Sequence, residues 1–409
     1  MALRERLLII GGGMAATRLV EELVACEPHR YAITVIGAEA RLPYNRVLLS
    51  SLLAQDVAED EIDLKPASWW RAQDVDLRCG QRVVAIDVQD CSVTLGDGSR
   101  LPWDKLVLAT GSNAVRLPLP GANLPGVLTF RDCHDVDQMR AAIKPGARAA
   151  VIGGGLLGLE AAYGLAKAGV DVTVVHVMDR LMERQLDPAA ASLLKQDLER
   201  RGIHVMLEAK SAAILGDDKV SALAFSDGQK ISVDMVVMAV GITPNIQLAA
   251  SAGLATKRGV VVDDAMRSSV TNMFALGECA EHRGVAYGLV QPAYEQARVL
   301  ARVLTGEAAA FEGMVTATNL KVSGIGVFSA GDYLGEGAQL LVLQDRGLRH
   351  YRKLVLRQTS QGTVLAGCVL YGETSDGLWY LDLIERAQPI DDMRNHLIFG
   401  RALCVREAA

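Results

Sequence analysis

One pattern occurs twice in this 409-residue chain and leaves little freedom in how it folds. The apolar run Leu7-Leu8-Ile9-Ile10 leads into Gly11-Gly12-Gly13-Met14-Ala15-Ala16, and Ala150-Val151-Ile152 leads into Gly153-Gly154-Gly155-Leu156-Leu157-Gly158. Each run has the length and flanks of a buried parallel strand, followed by a helical pattern (17–26 and 159–168). A second strand comes next, Ala32-Ile33-Thr34-Val35-Ile36 or Val172-Thr173-Val174-Val175. Strand, glycine turn, helix and strand make a βαβ unit, and Gly-x-Gly-x-x-Gly/Ala in that setting is the fingerprint of a dinucleotide site. The first glycine permits the tight turn, the second lets backbone approach a pyrophosphate, and the third lets helix pack closely on strand. Unpaired N–H groups at the helix start then face the phosphates. Two copies a domain's length apart predict two dinucleotides.

The halves continue alike. Leu106-Val107-Leu108-Ala109-Thr110-Gly111 reads as a buried strand ending in a turn, and Met235-Val236-Val237-Met238-Ala239-Val240-Gly241 matches it after the hairpin signal Ser226-Asp227-Gly228-Gln229. Met273-Phe274-Ala275-Leu276-Gly277-Glu278-Cys279-Ala280 is a further strand that enters a helix through a Gly-acid pair. The remaining residues read as a short-strand module (340–343, 354–356 and 364–370) with a closing helix at 378–386.

Composition removes other classes. With 48 acidic against 42 basic groups the net charge is −6, which argues against nucleic-acid binding. The seven cysteines are scattered without zinc or iron–sulfur spacing, so no metal site is expected. The opening MALRERLLIIGGG holds too short an apolar run for a secretory signal, and no later stretch is long enough for a membrane span. The chain reads as cytoplasmic, with no membrane or nucleic-acid partner; monomer and homodimer both stay open.

The series Gly11-x-Gly13-x-x-Ala16, Ala109-Thr110-Gly111, Gly153-x-Gly155-x-x-Gly158-x-Glu160, Gly241 and Gly277-Glu278 resembles the two-dinucleotide flavoprotein reductases. More narrowly, Pro43-Tyr44-Asn45-Arg46-Val47-Leu48-Leu49-Ser50, Leu156 to Ala162, Glu183-Arg184-Gln185-Leu186-Asp187, Gly277-Glu278-Cys279-Ala280 and Gly372-Glu373-Thr374-Ser375-Asp376 resemble the flavoprotein portion of bacterial assimilatory NAD(P)H nitrite reductase large subunits. Ferredoxin and rubredoxin reductases are also similar. The resemblance spans essentially the whole chain. It implies an α/β fold with two Rossmann-like, glutathione-reductase-like dinucleotide-binding domains and a C-terminal α+β module. The boundaries would be 1–112 with 245–312 for FAD, 113–244 for NADH or NADPH, and 313–409 for an interface module. Those longer subunits continue into iron–sulfur and sirohaem segments, so the chain is expected to act as a free-standing electron donor.

Carried over residue by residue, the resemblance puts the FAD pyrophosphate at Gly11, Gly13 and Ala16 and the adenosine near Glu39 and Val83. Arg46, Thr110, Gly111 and Arg131 would flank the flavin or its phosphates, with Gly277, Glu278 and Val290 completing the set. Glu278 stands where relatives carry Asp, and Ala38 where many carry an acid, which leaves the ribose carboxylate uncertain by one residue. Gly153, Gly155, Gly158 and Gly241 would hold the nicotinamide dinucleotide, and Glu160, as the catalytic residue, would project toward the nicotinamide. His176 takes the place of the acid that accepts NADH ribose hydroxyls. With Arg180 and Arg184 close behind, NADH against NADPH stays open and use of both is expected.

The implied chemistry is hydride transfer from nicotinamide to flavin, with reactivity supplied by the cofactor. The segment 44–51 contains no cysteine, unlike that of related disulfide reductases and peroxidases, and Cys279 reads as a small buried residue. Electrons are therefore expected to pass singly from flavin to an iron–sulfur or haem protein in nitrite or nitrate assimilation. A two-electron reductase of quinone or oxygen and a non-catalytic redox sensor are the competing readings. Trp69-Trp70 and Trp379-Tyr380 read as core. Arg346, Arg349, His350, Arg352, Lys353 and Arg357 concentrate basic charge in the C-terminal module; a docking face for an acidic carrier and a merely solvated face stand level.

Overall fold

The computed structural model describes residues 4–322 and 325–404. Its contacts divide the chain into two compact units. The first comprises the residues up to Leu52, Asp56–Ala114 and Ile242–Gly313; the second comprises Leu53–Gln55, Val115–Gly241 and the residues from Met314 on. The C-terminal module is thus grouped with the nicotinamide half.

In the first unit five parallel strands lie in the order Met273–Ala275, Lys105–Leu108, Glu5–Ile10, Tyr31–Ile36 and Asp76–Arg78. Leu7, Leu8, Ile9 and Ile10 are buried because their strand is central and covered on both faces. The helix Met14–Cys26 buries Ala16, Thr17, Leu19, Val20 and Leu23, the spacing of a single helical face, and packs against the helix Val290–Leu304. A small antiparallel sheet of Val83–Asp87, Ser92–Leu95 and Arg100–Pro102 accompanies them.

The second unit repeats the plan: His204–Met206, Asp171–Val175, Arg148–Ile152, Met235–Met238 and Val127–Thr129 form a parallel sheet in that order. Beyond it, Ala317–Val322, Ile325–Gly331, Gly362–Tyr371, His350–Thr359 and Gln339–Asp345 form an antiparallel sheet. The helix Gly377–Arg386 covers it, with Phe328, Leu354, Leu365, Leu370 and Tyr380 in the core. Gly377 permits that closeness, since a Cβ there would lie 2.7 Å from the Phe328 ring. The strand Ile325–Gly331 carries no alternating pattern to read, because both faces are buried and small residues fill it. Among the described residues no helix is long and apolar enough to cross a membrane.

Candidate functional site

In both parallel sheets the candidate residues gather at the carboxyl ends of the strands, where open α/β sheets bind ligands. Gly11 follows the central strand of the first unit at φ +122°, and a Cβ on it would stand 2.0 Å from the Ala109 carbonyl oxygen. Only glycine fits. Gly13, two residues on, is the reverse: extended, at the start of the helix Met14–Cys26, with nothing within 4 Å of its ideal Cβ position. No side chain caps that helix and no acid lies in its first turn, so its N–H groups and positive end of the dipole face open space. Ala16 is fully buried.

Beside this turn, Glu39 accepts from the Tyr44 hydroxyl at 2.7 Å and pairs with Arg46. The guanidinium of Arg46 also lies over the Tyr44 ring, 5.1 Å from its centroid. Arg46 is therefore joined to the candidate adenosine carboxylate. Val83 begins a strand held to the same loop, since Gln81 N–H donates to the Gly37 carbonyl at 3.0 Å.

Thr110 and Gly111 are clasped by Asn245, a residue the sequence reading does not single out. The Thr110 hydroxyl donates to the Asn245 carbonyl, and the Asn245 amide returns a bond to the Thr110 carbonyl, each at 2.9 Å. Gly277, at φ +77°, donates its N–H to the buried Gln296 side chain at 2.8 Å, and Glu278 accepts from the Ser112 hydroxyl at 2.8 Å. Ser112 and Gln296 are also absent from the sequence reading; they meet these positions only through folding. Val290 opens a helix without a side-chain cap. Cys279 is wholly buried, and burial pushes its thiol pKa up, the opposite of an activated thiolate.

The second unit carries the same geometry with a glycine at the third position. Gly153 sits at φ +129° with a would-be Cβ 2.2 Å from the Ala239 oxygen, and a Cβ on Gly158 would lie 2.0 Å from the Gly153 oxygen. Gly155 starts the helix Leu156–Lys167 in open space, uncapped and without an acid in the first turn. Gly241 ends the strand run at φ +126° with nothing nearby. On the same helix Glu160 is desolvated, and burial pushes its carboxyl up to about 7. Arg131 follows the strand Val127–Thr129 of this sheet, and its N–H donates to Asp135 at 2.7 Å.

His176 follows the strand Asp171–Val175 and is 8% exposed. Its Nδ1 accepts from Gly154 N–H at 3.1 Å and its Nε2 meets Glu183 at 3.0 Å. The segment beyond is fastened to the C-terminal module: Tyr333 donates to the Glu183 carbonyl at 2.8 Å, while Asp187 receives Tyr351 at 2.6 Å and Lys353 at 3.1 Å.

Four members of the basic run form ion pairs. Lys353 is buried against Asp187; Arg349 pairs with Asp197 at 2.9 Å, Arg352 with Asp376 at 3.1 Å and Arg357 with Asp332 at 2.5 Å. Acids distant in sequence neutralise the run, and several of its members brace the fold.

Two sheets, each feeding a glycine turn into an uncapped helix, define an oxidoreductase built on two dinucleotides. The chain belongs to the pyridine nucleotide-disulphide oxidoreductase family, whose model matches residues 5–297, and the rubredoxin NAD+ reductase C-terminal domain matches residues 317–388. Its cofactors are FAD and a nicotinamide dinucleotide. It is 44% identical over 392 residues to a nitrite reductase (NAD(P)H) of Bacillus subtilis (strain 168), covering 95% of this chain and 48% of that protein. It is 38% identical over 397 residues to the assimilatory nitrate reductase electron transfer subunit of the same organism, covering 97% and 51%. The chain thus spans about half the length of these relatives. Among solved structures, the covalent putidaredoxin reductase–putidaredoxin complex matches with a TM-score of 0.85 at 26% identity, covering 94% of each chain.

Proposed function

We propose that this chain draws electrons from NADH or NADPH through FAD and delivers them to an iron–sulfur or haem protein in nitrite or nitrate assimilation. The observation that carries the reading is the paired cradle: at Gly13 and Gly155 open space meets unpaired helix N–H groups, in two units of one chain. FAD would lie on Gly11, Gly13 and Ala16, with Glu39, Arg46 and Val83 on the adenosine side and Thr110, Gly111, Gly277, Glu278 and Val290 further along. The nicotinamide dinucleotide would lie on Gly153, Gly155, Gly158 and Gly241, near His176. When bound, the two cofactors supply hydride transfer and single-electron release.

The chain's own residues orient and neutralise. The helix starts would hold the pyrophosphates, the Thr110–Asn245 clasp fixes the turn that follows the strand Lys105–Leu108, and Glu160, whose carboxyl burial pushes up to about 7, would project toward the nicotinamide. A protein acceptor is supported by the absence of a reactive thiol in 44–51, the burial of Cys279, and relatives named for electron transfer to protein partners.

The test is spectroscopic. The purified protein should carry about one FAD per chain, the number of copies of its first fingerprint, and NADH or NADPH should bleach it anaerobically. Gly11→Glu should remove the flavin, since only glycine fits that turn, and Gly155→Glu only the bleaching, since it places a carboxylate against a pyrophosphate. Normal bleaching of the Gly155→Glu variant would overturn the assignment of the two units.

A further inference from the structure

We propose that Glu183, held by His176, reads the 2′ position of the coenzyme's adenine ribose and gives this protein a preference for NADH over NADPH. The inference rests on the nicotinamide site described above. At the end of the strand Asp171–Val175 the place of a ribose-binding acid is taken by His176, yet the ring is committed elsewhere. Its Nδ1 accepts the Gly154 N–H, so its proton stands on Nε2 and is donated to Glu183 Oε2 at 3.0 Å. A carboxylate from a later loop is thereby brought beside the glycine turn.

The rest of the loop agrees. Met182 N–H donates to the Gly154 carbonyl at 2.9 Å, which folds 182–183 onto the turn, and Tyr333 holds the Glu183 carbonyl from the other side. Among the described residues the ion-pair partner of Glu183 Oε1 is Arg184, at 3.8 Å and beyond hydrogen-bond range, and the Arg184 side chain is 86% exposed. That oxygen is left to accept from a ribose hydroxyl. The other cation, Arg180, is paired with Asp179 at 2.9 Å, and Glu183 is the carboxylate that the bond from His176 holds beside the glycine turn. An acceptor-only carboxylate welcomes a hydroxyl and repels a phosphate, which is discrimination by repulsion as much as by attraction.

ADP-ribose and its 2′-phosphate lack the nicotinamide, so calorimetry with them measures binding without reducing the flavin. The wild type should bind ADP-ribose at least about tenfold more tightly than the 2′-phosphate. Glu183→Gln, which keeps the shape and the bond to His176, should close most of that gap by strengthening binding of the 2′-phosphate. His176→Asn should narrow the gap through loss of positioning, with the flavin content unchanged. An unchanged ratio in Glu183→Gln, or a wild type that prefers the 2′-phosphate, overturns the assignment of Glu183. A ratio that moves in Glu183→Gln but not in His176→Asn overturns the positioning role. A wild type that binds neither ligand overturns the underlying nicotinamide-site reading instead.

Discussion

Gly155 and Gly158 lie on the same turn and differ in what surrounds them, so the same added methyl should separate folding from binding. A Cβ on Gly158 would stand 2.0 Å from the Gly153 oxygen, more than an ångström inside ordinary contact, and that neighbour is backbone rather than a flexible side chain end. The helix must then lift from the strand. Ala gains about 1 kcal/mol of helix propensity over Gly, but forcing atoms into a packed interior costs about 1–3 kcal/mol and more where backbone must move. We expect Gly158→Ala to lower the stability of the second unit by roughly 2 kcal/mol, which is several degrees in its melting transition. At Gly155 the would-be Cβ meets nothing within 4 Å and the backbone is extended at φ −85°. Replacing Gly by Ala at a helix start costs a few tenths to about 1 kcal/mol, offset by about 0.4–1 kcal/mol from the stiffer unfolded chain. Stability should therefore stay within about 0.5 kcal/mol. The methyl would stand between the helix N–H groups and a pyrophosphate, and ADP-ribose affinity should fall at least about tenfold. Circular dichroism melts and calorimetry on both variants decide the matter. Equal destabilisation by the two, or unchanged affinity in Gly155→Ala, would refute the reasoning.

Two further substitutions probe charge. Burial raises the Glu160 carboxyl from its unfolded 4.5 to about 7, so its contribution is favourable at low pH and is lost as pH rises through 7. Glu160→Gln should match the wild type near pH 4.5 and exceed it above pH 7 by up to about 3 kcal/mol, read from denaturant melts across pH; a gap independent of pH would refute the shift. Lys353 and Asp187 are each only 6% exposed in their side chains, so Lys353→Met should cost about 3 kcal/mol by leaving a buried carboxylate, and adding Asp187→Asn should recover part of it. Simple additivity in that double-mutant cycle would show the pair to be uncoupled.

What the sequence made legible was local. Gly11 to Ala16 and Gly153 to Gly158 announce themselves because a sharp turn, a helix start and a close helix–strand contact all fall within six residues. The strands around them are readable since central parallel strands are apolar throughout. The clasp of Asn245 on Thr110, the bond from Ser112 to Glu278 and that from Gly277 to Gln296 join residues separated by most of a domain or sit on elements with other signals, and no spacing rule announces them. The pairing of the basic run at 346–357 is hidden from the sequence for a related reason. A charge's partner is chosen by folding, and here Asp187, Asp197, Asp332 and Asp376 come from four separate places in the chain.

Those same pairings give the C-terminal module a definite role in the second unit. From Glu183 to Asp187 the chain is held on one side by His176, which belongs to the dinucleotide fold, and on the other by Tyr333, Tyr351 and Lys353, which belong to the module. Asp187 also accepts the Ala190 N–H at 3.0 Å and so caps the helix Pro188–Arg200. A segment carrying a carboxylate beside the glycine turn is thus fixed from both ends. Holding a charged loop in one geometry costs conformational entropy, which the burial of Leu181, Met182 and Leu186 helps to offset. The module adds buried, charge-assisted hydrogen bonds from Tyr351 and Lys353 to Asp187. Of its basic residues Lys353 and Arg349 thus reach out of the module, to Asp187 and Asp197, while Arg352 and Arg357 pair within it.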